Sequence, residues 1–272
     1  MRIFQENLLD NSSSLKAFIL GLIEGATEFL PISSTGHLIF FGHLIRFDEV
    51  YSEVFDISIQ SGALLAVVLY YRKDFIDIVT LKDRELLRSL TIAFLPIGIF
   101  GLLFGQFVLE NLFDTLFVGL AFIVGALLML HVEFLHRQEK QRINSVRNVS
   151  KDNAVKIGLV QTLALIPGFS RSGAAIIGGM YFGLNRSTAT NFSFLLAVPV
   201  ILSATIYSLY LKFEEINIEN IQIFFIGFFA SFASAFLVIK FLIFYLKSHS
   251  LIVFAVYRII AGILIIFFGT LV

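Results

Sequence analysis

GLIEGATEFLPISSTGH, Gly21 to His37, reappears in altered form as GLVQTLALIPGFSRSGA, Gly158 to Ala174. A shift of 137 positions (158 minus 21) lays one on the other without a gap. It matches Gly21 to Gly158, Leu22 to Leu159, Ser33 to Ser170 and Gly36 to Gly173. Each copy is an apolar run that breaks at a proline, Pro31 or Pro167, and restarts from a hydroxyl-bearing turn. Proline removes a helical N–H and clashes with the preceding turn, so a break is expected at both. The polar atoms of an apolar chain gather in these two turns, and function is sought there.

Of the 272 residues, 57% are hydrophobic, 15% are charged and 32 are Phe, with a mean hydropathy of +0.88. A soluble domain carries far more charge. Several runs approach the ~20 apolar residues that cross a bilayer. The expected class is therefore an all-α polytopic membrane protein. A formal net charge of zero gives no case for nucleic acid binding. The absence of Cys excludes disulfides, thiolate metal sites and Cys nucleophiles. The first ten residues lack a basic region followed by a cleavage site, so no cleaved signal peptide is expected.

The order of segments repeats as well. Asn11 to Ser14 can cap an apolar helix over 15–30. At ~1.5 Å per residue it falls short of the ~30 Å hydrocarbon core. With a second short helix over 35–45 it makes a re-entrant hairpin, 15–46, whose turn lies near mid-membrane. Non-helical backbone at that depth is tolerated only when buried in protein or facing a watery cavity. Spans over 54–71, 89–109 and 115–135 follow, with a charged loop over 72–88 and a kink at Pro96. This first repeat, 1–136, is joined by a polar linker, 137–153, to a second, 154–272. The second has a re-entrant hairpin over 154–182 and spans over 188–211, 221–246 and 251–271. The same shift matches Phe55 to Phe192, Tyr70 to Tyr207 and Gly125 to Gly262.

Loop charge sets the orientation. Arg72, Lys73, Lys82, Arg84 and Arg88 mark one loop, and Arg137, Lys140, Arg142, Arg147 and Lys151 the linker. Glu110–Asp114 has no basic residue, and 212–220 has only Lys212 against Glu214, Glu215 and Glu219. The two basic loops are expected to be cytoplasmic. An odd number of spans per half then inverts the repeats, places both termini outside, and admits the first hairpin from the external face. Inverted repeats with broken helices recur in transporters.

Glu24 and Glu28, four apart, share a helix face. Intramembrane carboxylates are costly unless paired, metal-bound or wetted. They either share a proton that joins two helices or hold a divalent cation. Ser33, Ser34, Thr35 and Gly36 open one helix, and Ser170, Arg171, Ser172 and Gly173 open the other. Each is either plain N-capping or an anion site. Together the two would form one oxyanion cradle. Arg171 needs an anionic partner, either a phosphate or one of the two glutamates. His37, three residues after Ser34, is a candidate base for a Ser34 nucleophile. His43, His131, His136 and His249 read as interfacial.

These residues resemble the bacterial undecaprenyl-diphosphate phosphatase family of the bacitracin-resistance type. Its two boxes stand here as EGATEFLPISSTGH, Glu24 to His37, and PGFSRSGAA, Pro167 to Ala175. The likeness continues through EVFDISIQSGALLAVV and NFSFLLAVPV. Ala175 departs from it, standing where the family usually has Thr.

The resemblance implies hydrolysis of undecaprenyl diphosphate to the monophosphate carrier of cell-wall synthesis, with bacitracin resistance, in the bacterial inner membrane. It implies functional roles for Glu24, Glu28, Ser34, His37, Ser170 and Arg171. It also implies dependence on a divalent cation, Mg²⁺ or Ca²⁺, for which Glu24 and Glu28 are the candidate ligands by their spacing on one helix face, and a site open to the external face. The expected partners are the polyprenyl diphosphate and membrane lipids, with a homodimer left open. The rival is a carrier that flips a polyprenyl phosphate without hydrolysis. An acid-phosphatase type of lipid phosphatase is set aside, because no SRxxxxxH pattern follows Arg171.

Overall fold

Asp83, Ser150 and Ser170 each accept a backbone N–H from three residues ahead, from Leu86, Asn153 and Gly173 at 3.0–3.1 Å. Such caps satisfy donors that have no intrahelical partner. They start three of the helices of this computed structural model, which describes residues 2–47, 52–136, 143–211 and 221–269. The order is α1 (Arg2–Thr27), α2 (Ser34–Ile45), α3 (Ser52–Tyr70), α4 (Arg72–Val79), α5 (Arg84–Asn111), α6 (Thr115–His136), α7 (Lys151–Gln161), α8 (Arg171–Tyr181), α9 (Arg186–Leu211), α10 (Ile221–Tyr245) and α11 (Ile252–Gly269). Short 3-10 turns lie at Val146–Asn148 and Thr162–Leu165. No strand occurs among the described residues. The chain is an all-helical, multi-pass membrane protein.

Four helices are long and apolar enough to cross a membrane: Arg84–Val108, Thr115–Leu135, Arg186–Leu211 and Ile221–Tyr245. A fifth arises if Val54–Tyr70 and Arg72–Val79, bent by 82° to one another, count as one span. The charged loop expected over 72–88 is thus partly helix. The first hairpin helix does not begin at 15 but runs through the capping residues, since Ser and Asn permit a start without enforcing one. It stops at Thr27, ahead of Pro31, where Thr27 Oγ1 donates back to Ile23 O at 2.7 Å. A proline disfavours helix at the residue before it, so the stop comes early.

Within the linker, 143–153 is docked. Ile143 N donates to Gly183 O at 2.9 Å, and Arg147 pairs with Asp74 at 3.0 Å and Asp83 at 2.7 Å. Arg137, Lys140, Arg142 and the loop 212–220 fall outside the described residues.

α1 packs on α10 and α7 packs on α5; α3 lies on α10 and α9 lies on α5. A side chain at Gly21 would run into Gly227 O, and one at Gly158 into Ala93 O. Small residues let membrane helices approach to backbone contact.

Arg258 of α11 joins these layers at the centre. It is fully buried. Its Nε donates to Phe122 O at 3.1 Å, Nη1 to Pro31 O and Phe169 O at 3.1 and 2.8 Å, and Nη2 to Ala121 O and Gly168 O at 3.1 Å each. All five guanidinium N–H groups are used. Two elbows, the breaks between α1 and α2 and between α7 and α8, offer carbonyls that no helix satisfies, and an unmatched carbonyl is costly inside a membrane. Gly125 faces the guanidinium with no room for a methyl group.

Arg258→Met is expected to orphan the three elbow carbonyls, of Pro31, Gly168 and Phe169, at ~1–3 kcal/mol each. Gly125→Ala is expected to displace the same guanidinium. Thermal unfolding in detergent should register a large drop for both variants, and an unchanged midpoint would show that the carbonyls find other donors.

Candidate active site

Each elbow ends on a serine with positive φ: Ser33 at φ 70, ψ 100 and Ser170 at φ 78, ψ 115. L-residues disfavour this half of φ space. Its recurrence at matched positions marks a shared constraint. Both helices must restart abruptly so that their first turns face one another.

A cavity of about 160 Å³ lies between the elbows, lined on its polar side by Glu28, Ser33, Ser34, Thr35, Gln60, Ser170 and Arg171. Ser34 Oγ donates to Glu28 Oε2 at 2.6 Å, and Arg171 Nη2 donates to Glu28 Oε1 at 3.0 Å. Arg171 Nη1 donates to Ser193 O at 3.0 Å, and the guanidinium lies over Phe29 at 5.5 Å. Its Nε is buried without a partner among the described residues. Hydroxyl, carboxylate and guanidinium from the two halves thus form one hydrogen-bonded unit. Such a unit can hold an oxyanion while a proton moves between Ser34 and Glu28.

Other expected residues stand around this unit in different roles. Ser172 Oγ bonds Leu30 O at 2.9 Å and Ser170 Oγ at 3.1 Å, tying one elbow to the other. Gly36 and Gly173 are close-approach positions: an added Cβ would meet the Phe122 ring at the first, and Ser170 Oγ and Arg258 Nη1 at the second. Ala175 is buried and does not line the cavity. Glu24 is 1% exposed and its Oε2 has no hydrogen-bond partner among the described residues. The charged groups of Glu28, Asp56 and Arg171 act on it electrostatically.

His37 is not brought to the Ser34 hydroxyl. Its Nδ1 lies 2.6 Å from Ser33 O and its Nε2 2.5 Å from Tyr257 Oη, in a separate groove behind the elbow. Helical spacing put His37 near Ser34, but it also puts the ring one turn from Ser33 O, four residues back, and that carbonyl takes Nδ1. The group hydrogen-bonded to the Ser34 hydroxyl is Glu28.

Gln60, Ser193, Tyr257 and Arg258 go unassigned by sequence reading. An arginine inside the last apolar run was the available signal for Arg258; the other three carry none.

A family model described as "Bacitracin resistance protein BacA" matches residues 17–264. The chain belongs to the BacA family. It is 47% identical over 259 residues to a protein of Methylobacillus flagellatus named undecaprenyl-diphosphatase, covering 93% of this chain and 96% of the relative. Proteins of the same name from Dechloromonas aromatica and Methylococcus capsulatus are each 46% identical over 257 residues, covering 93% of both chains. The family match runs from α1 through both elbows to α11, so it includes the cavity and Arg258.

Ser33 makes no side-chain cap, whereas Ser170 Oγ receives Gly173 N at 3.0 Å. Ser33→Gly should therefore stabilise the protein by about 1 kcal/mol through released backbone strain. Ser170→Ala should destabilise it by about 1 kcal/mol through the lost cap. Detergent melting curves that move together for the two variants would contradict this division.

Proposed function

We propose that this protein hydrolyses undecaprenyl diphosphate to undecaprenyl phosphate and inorganic phosphate in the cavity between the elbows. That activity would recycle the carrier of peptidoglycan synthesis and confer bacitracin resistance. The observation that carries the reading is the Ser34–Glu28–Arg171 unit, built from both halves. The names of the relatives agree with it.

Ser34 Oγ attacks the terminal phosphorus, and its proton passes to Glu28 Oε2. The bond from phosphorus to the bridging oxygen breaks, and the departing lipid phosphate takes the electron pair and then the proton. Water next attacks the phosphoserine. The bond from phosphorus to Ser34 Oγ breaks, Oγ takes the electron pair and, through Glu28, the proton from water, and inorganic phosphate leaves. Arg171, Ser33, Thr35, Ser170 and the free N–H groups of α2 and α8 hold the phosphoryl oxygens, where preorganised donors stabilise developing charge.

A divalent cation, Mg²⁺ or Ca²⁺, fits the donors in part. Glu24 Oε2 is buried without a partner, and Glu28 stands beside the cavity. No group of three His, Asp or Glu converges among the described residues. Substrate phosphate oxygens would have to complete the coordination, as is usual for Mg²⁺. When bound, the ion would offset the charge of the diphosphate.

We also read the chain as two inverted repeats, 1–136 and 154–272, each a re-entrant hairpin plus three spans, with 137–153 and 72–88 cytoplasmic. The cavity then opens to the outer face and both termini are external. The exchange of partners, α1 with α10 and α7 with α5, supports this, as do the matched φ values of Ser33 and Ser170. The same pairing keeps a flippase as the second reading.

Purified protein in detergent is expected to release phosphate from undecaprenyl diphosphate. A flippase would release none, having no membrane to cross. Arg171→Lys cannot reach Glu28 and Ser193 together and should lose about 10²–10³-fold in kcat. Ser34→Ala should abolish trapping of radiolabelled phosphate on the protein; label that survives removes the serine as nucleophile. EDTA should suppress turnover, and undiminished release would exclude the ion. Because the chain has no Cys, single cysteines at Lys82 and Asn111 can be probed in intact cells. An impermeant maleimide should label the second and spare the first.

A further inference from the structure

Behind the first elbow, between α1, α2, α10 and α11, lies a mainly apolar groove of about 470 Å³ that includes Ile23, Thr27, Ile32, His37, Phe41 and Tyr257. His37 occupies its inner wall. The imidazole stacks on the Tyr257 ring, with centroids 5.6 Å apart and planes 7° apart, and meets Phe122 at 6.0 Å on another side. Both nitrogens are engaged, one by Ser33 O at 2.6 Å and one by Tyr257 Oη at 2.5 Å.

The partners fix the tautomer. A carbonyl oxygen can only accept, so Nδ1 carries the hydrogen and donates to Ser33 O. In the neutral ring Nε2 then has a lone pair, and the Tyr257 O–H donates to it. The relay runs from hydroxyl to imidazole to carbonyl.

That carbonyl belongs to the peptide joining Ser33 to Ser34. No cis peptide occurs in the described chain, so the Ser34 N–H points opposite to the Ser33 carbonyl. As the N-cap of α2, Ser33 offers this carbonyl to the first backbone bond of the helix, and the imidazole adds a second hold. The Ser34 N–H is thereby aimed the other way, toward the side where Ser33, Ser34 and Thr35 line the phosphate cavity. Ser33 sits at φ 70, a conformation that needs such external support.

We infer that Tyr257 and His37 are positioning residues: the tyrosine sets the imidazole tautomer, and the imidazole pins the Ser33 carbonyl so that the Ser34 N–H serves as an oxyanion donor. Neither side chain needs to touch the reacting phosphorus. The inference rests on the hydrolase reading above, and assigns His37 a task other than proton transfer from Ser34.

The test compares His37→Ala, His37→Asn, Tyr257→Phe and the double variant His37→Asn/Tyr257→Phe by kcat and KM for undecaprenyl diphosphate in detergent. His37→Ala is expected to lose about 10²-fold in kcat, the size of one lost oxyanion donor, with KM little changed. An Asn side chain places an amide N–H where Nδ1–H stood, so His37→Asn should recover about tenfold of that loss. Tyr257→Phe keeps the ring and removes one hydrogen bond, which should lower kcat about tenfold. Added to His37→Asn it should cost nothing more, because the relay is already cut.

His37→Asn no more active than His37→Ala, or a Tyr257→Phe penalty that is equal in both backgrounds, overturns the inference. If His37→Ala does not fold, the Tyr257→Phe cycle against His37→Asn decides alone. Wild-type phosphate release is the separate control: its absence defeats the hydrolase reading, while its presence with a failed cycle defeats only the positioning role.

Discussion

One buried guanidinium holds the molecule's centre together. A membrane interior allows broken helices only where their carbonyls are satisfied by protein. Arg258 satisfies three at once, Pro31 and Gly168–Phe169, and reaches two more on α6. Isolated burial of such a charge would be prohibitive. Here five oriented carbonyl dipoles replace its water, and it becomes the bolt through both elbows. Ser172 Oγ on Leu30 O adds a second, neutral cross-link between the same elbows. These cross-links fix the two turns to each other on either side of the cavity.

Rigid turns also explain how charges are arranged in front of the bolt. Glu28 accepts from both Ser34 and Arg171. In this low-dielectric setting a carboxylate that lost its arginine would be left uncompensated, and breaking a buried pair is strongly destabilising. The pair therefore serves the resting state as well as the reaction. A phosphate entering the cavity competes with Glu28 for the guanidinium. That competition would free Glu28 to take a proton as the substrate's charge arrives.

Much of this was legible in the sequence because its cause is local. Proline at 31 and 167 breaks helices wherever it sits, and the shared shift of 137 exposes the second elbow once the first is seen. Glu28, Ser34 and Arg171 announce themselves as polar groups in apolar runs. What was not legible depends on contacts across long separations. His37 looked like the base of Ser34 because helical spacing places them near each other, yet Tyr257, 220 positions away, engages its ring. The stretch 72–88 reads as a charged loop, yet its Asp74 and Asp83 are paired by Arg147 of the docked linker. The helix at Arg72–Val79 was hidden by its charges, since loop charge predicts sidedness well and backbone state poorly.

The two matched stretches differ where one pocket cannot accept both versions. The shift that matches Ser33 to Ser170 also matches Ser34 to Arg171, Glu24 to Gln161, Glu28 to Leu165 and His37 to Ala174. A symmetric pair of acidic copies would put four carboxylates around an anionic substrate and repel it. A symmetric pair of basic copies would hold phosphate but supply no proton acceptor. Placing acid and hydroxyl on one elbow and guanidinium on the other solves both problems within one shared cavity. Gln161 shows the trade at its plainest. It is fully buried at the position matching Glu24, with both amide atoms lacking partners among the described residues, so the second copy keeps the shape of a carboxylate and gives up its charge. The backbone constraint, positive φ before each restarted helix, stays common to both because either half needs it to face the other.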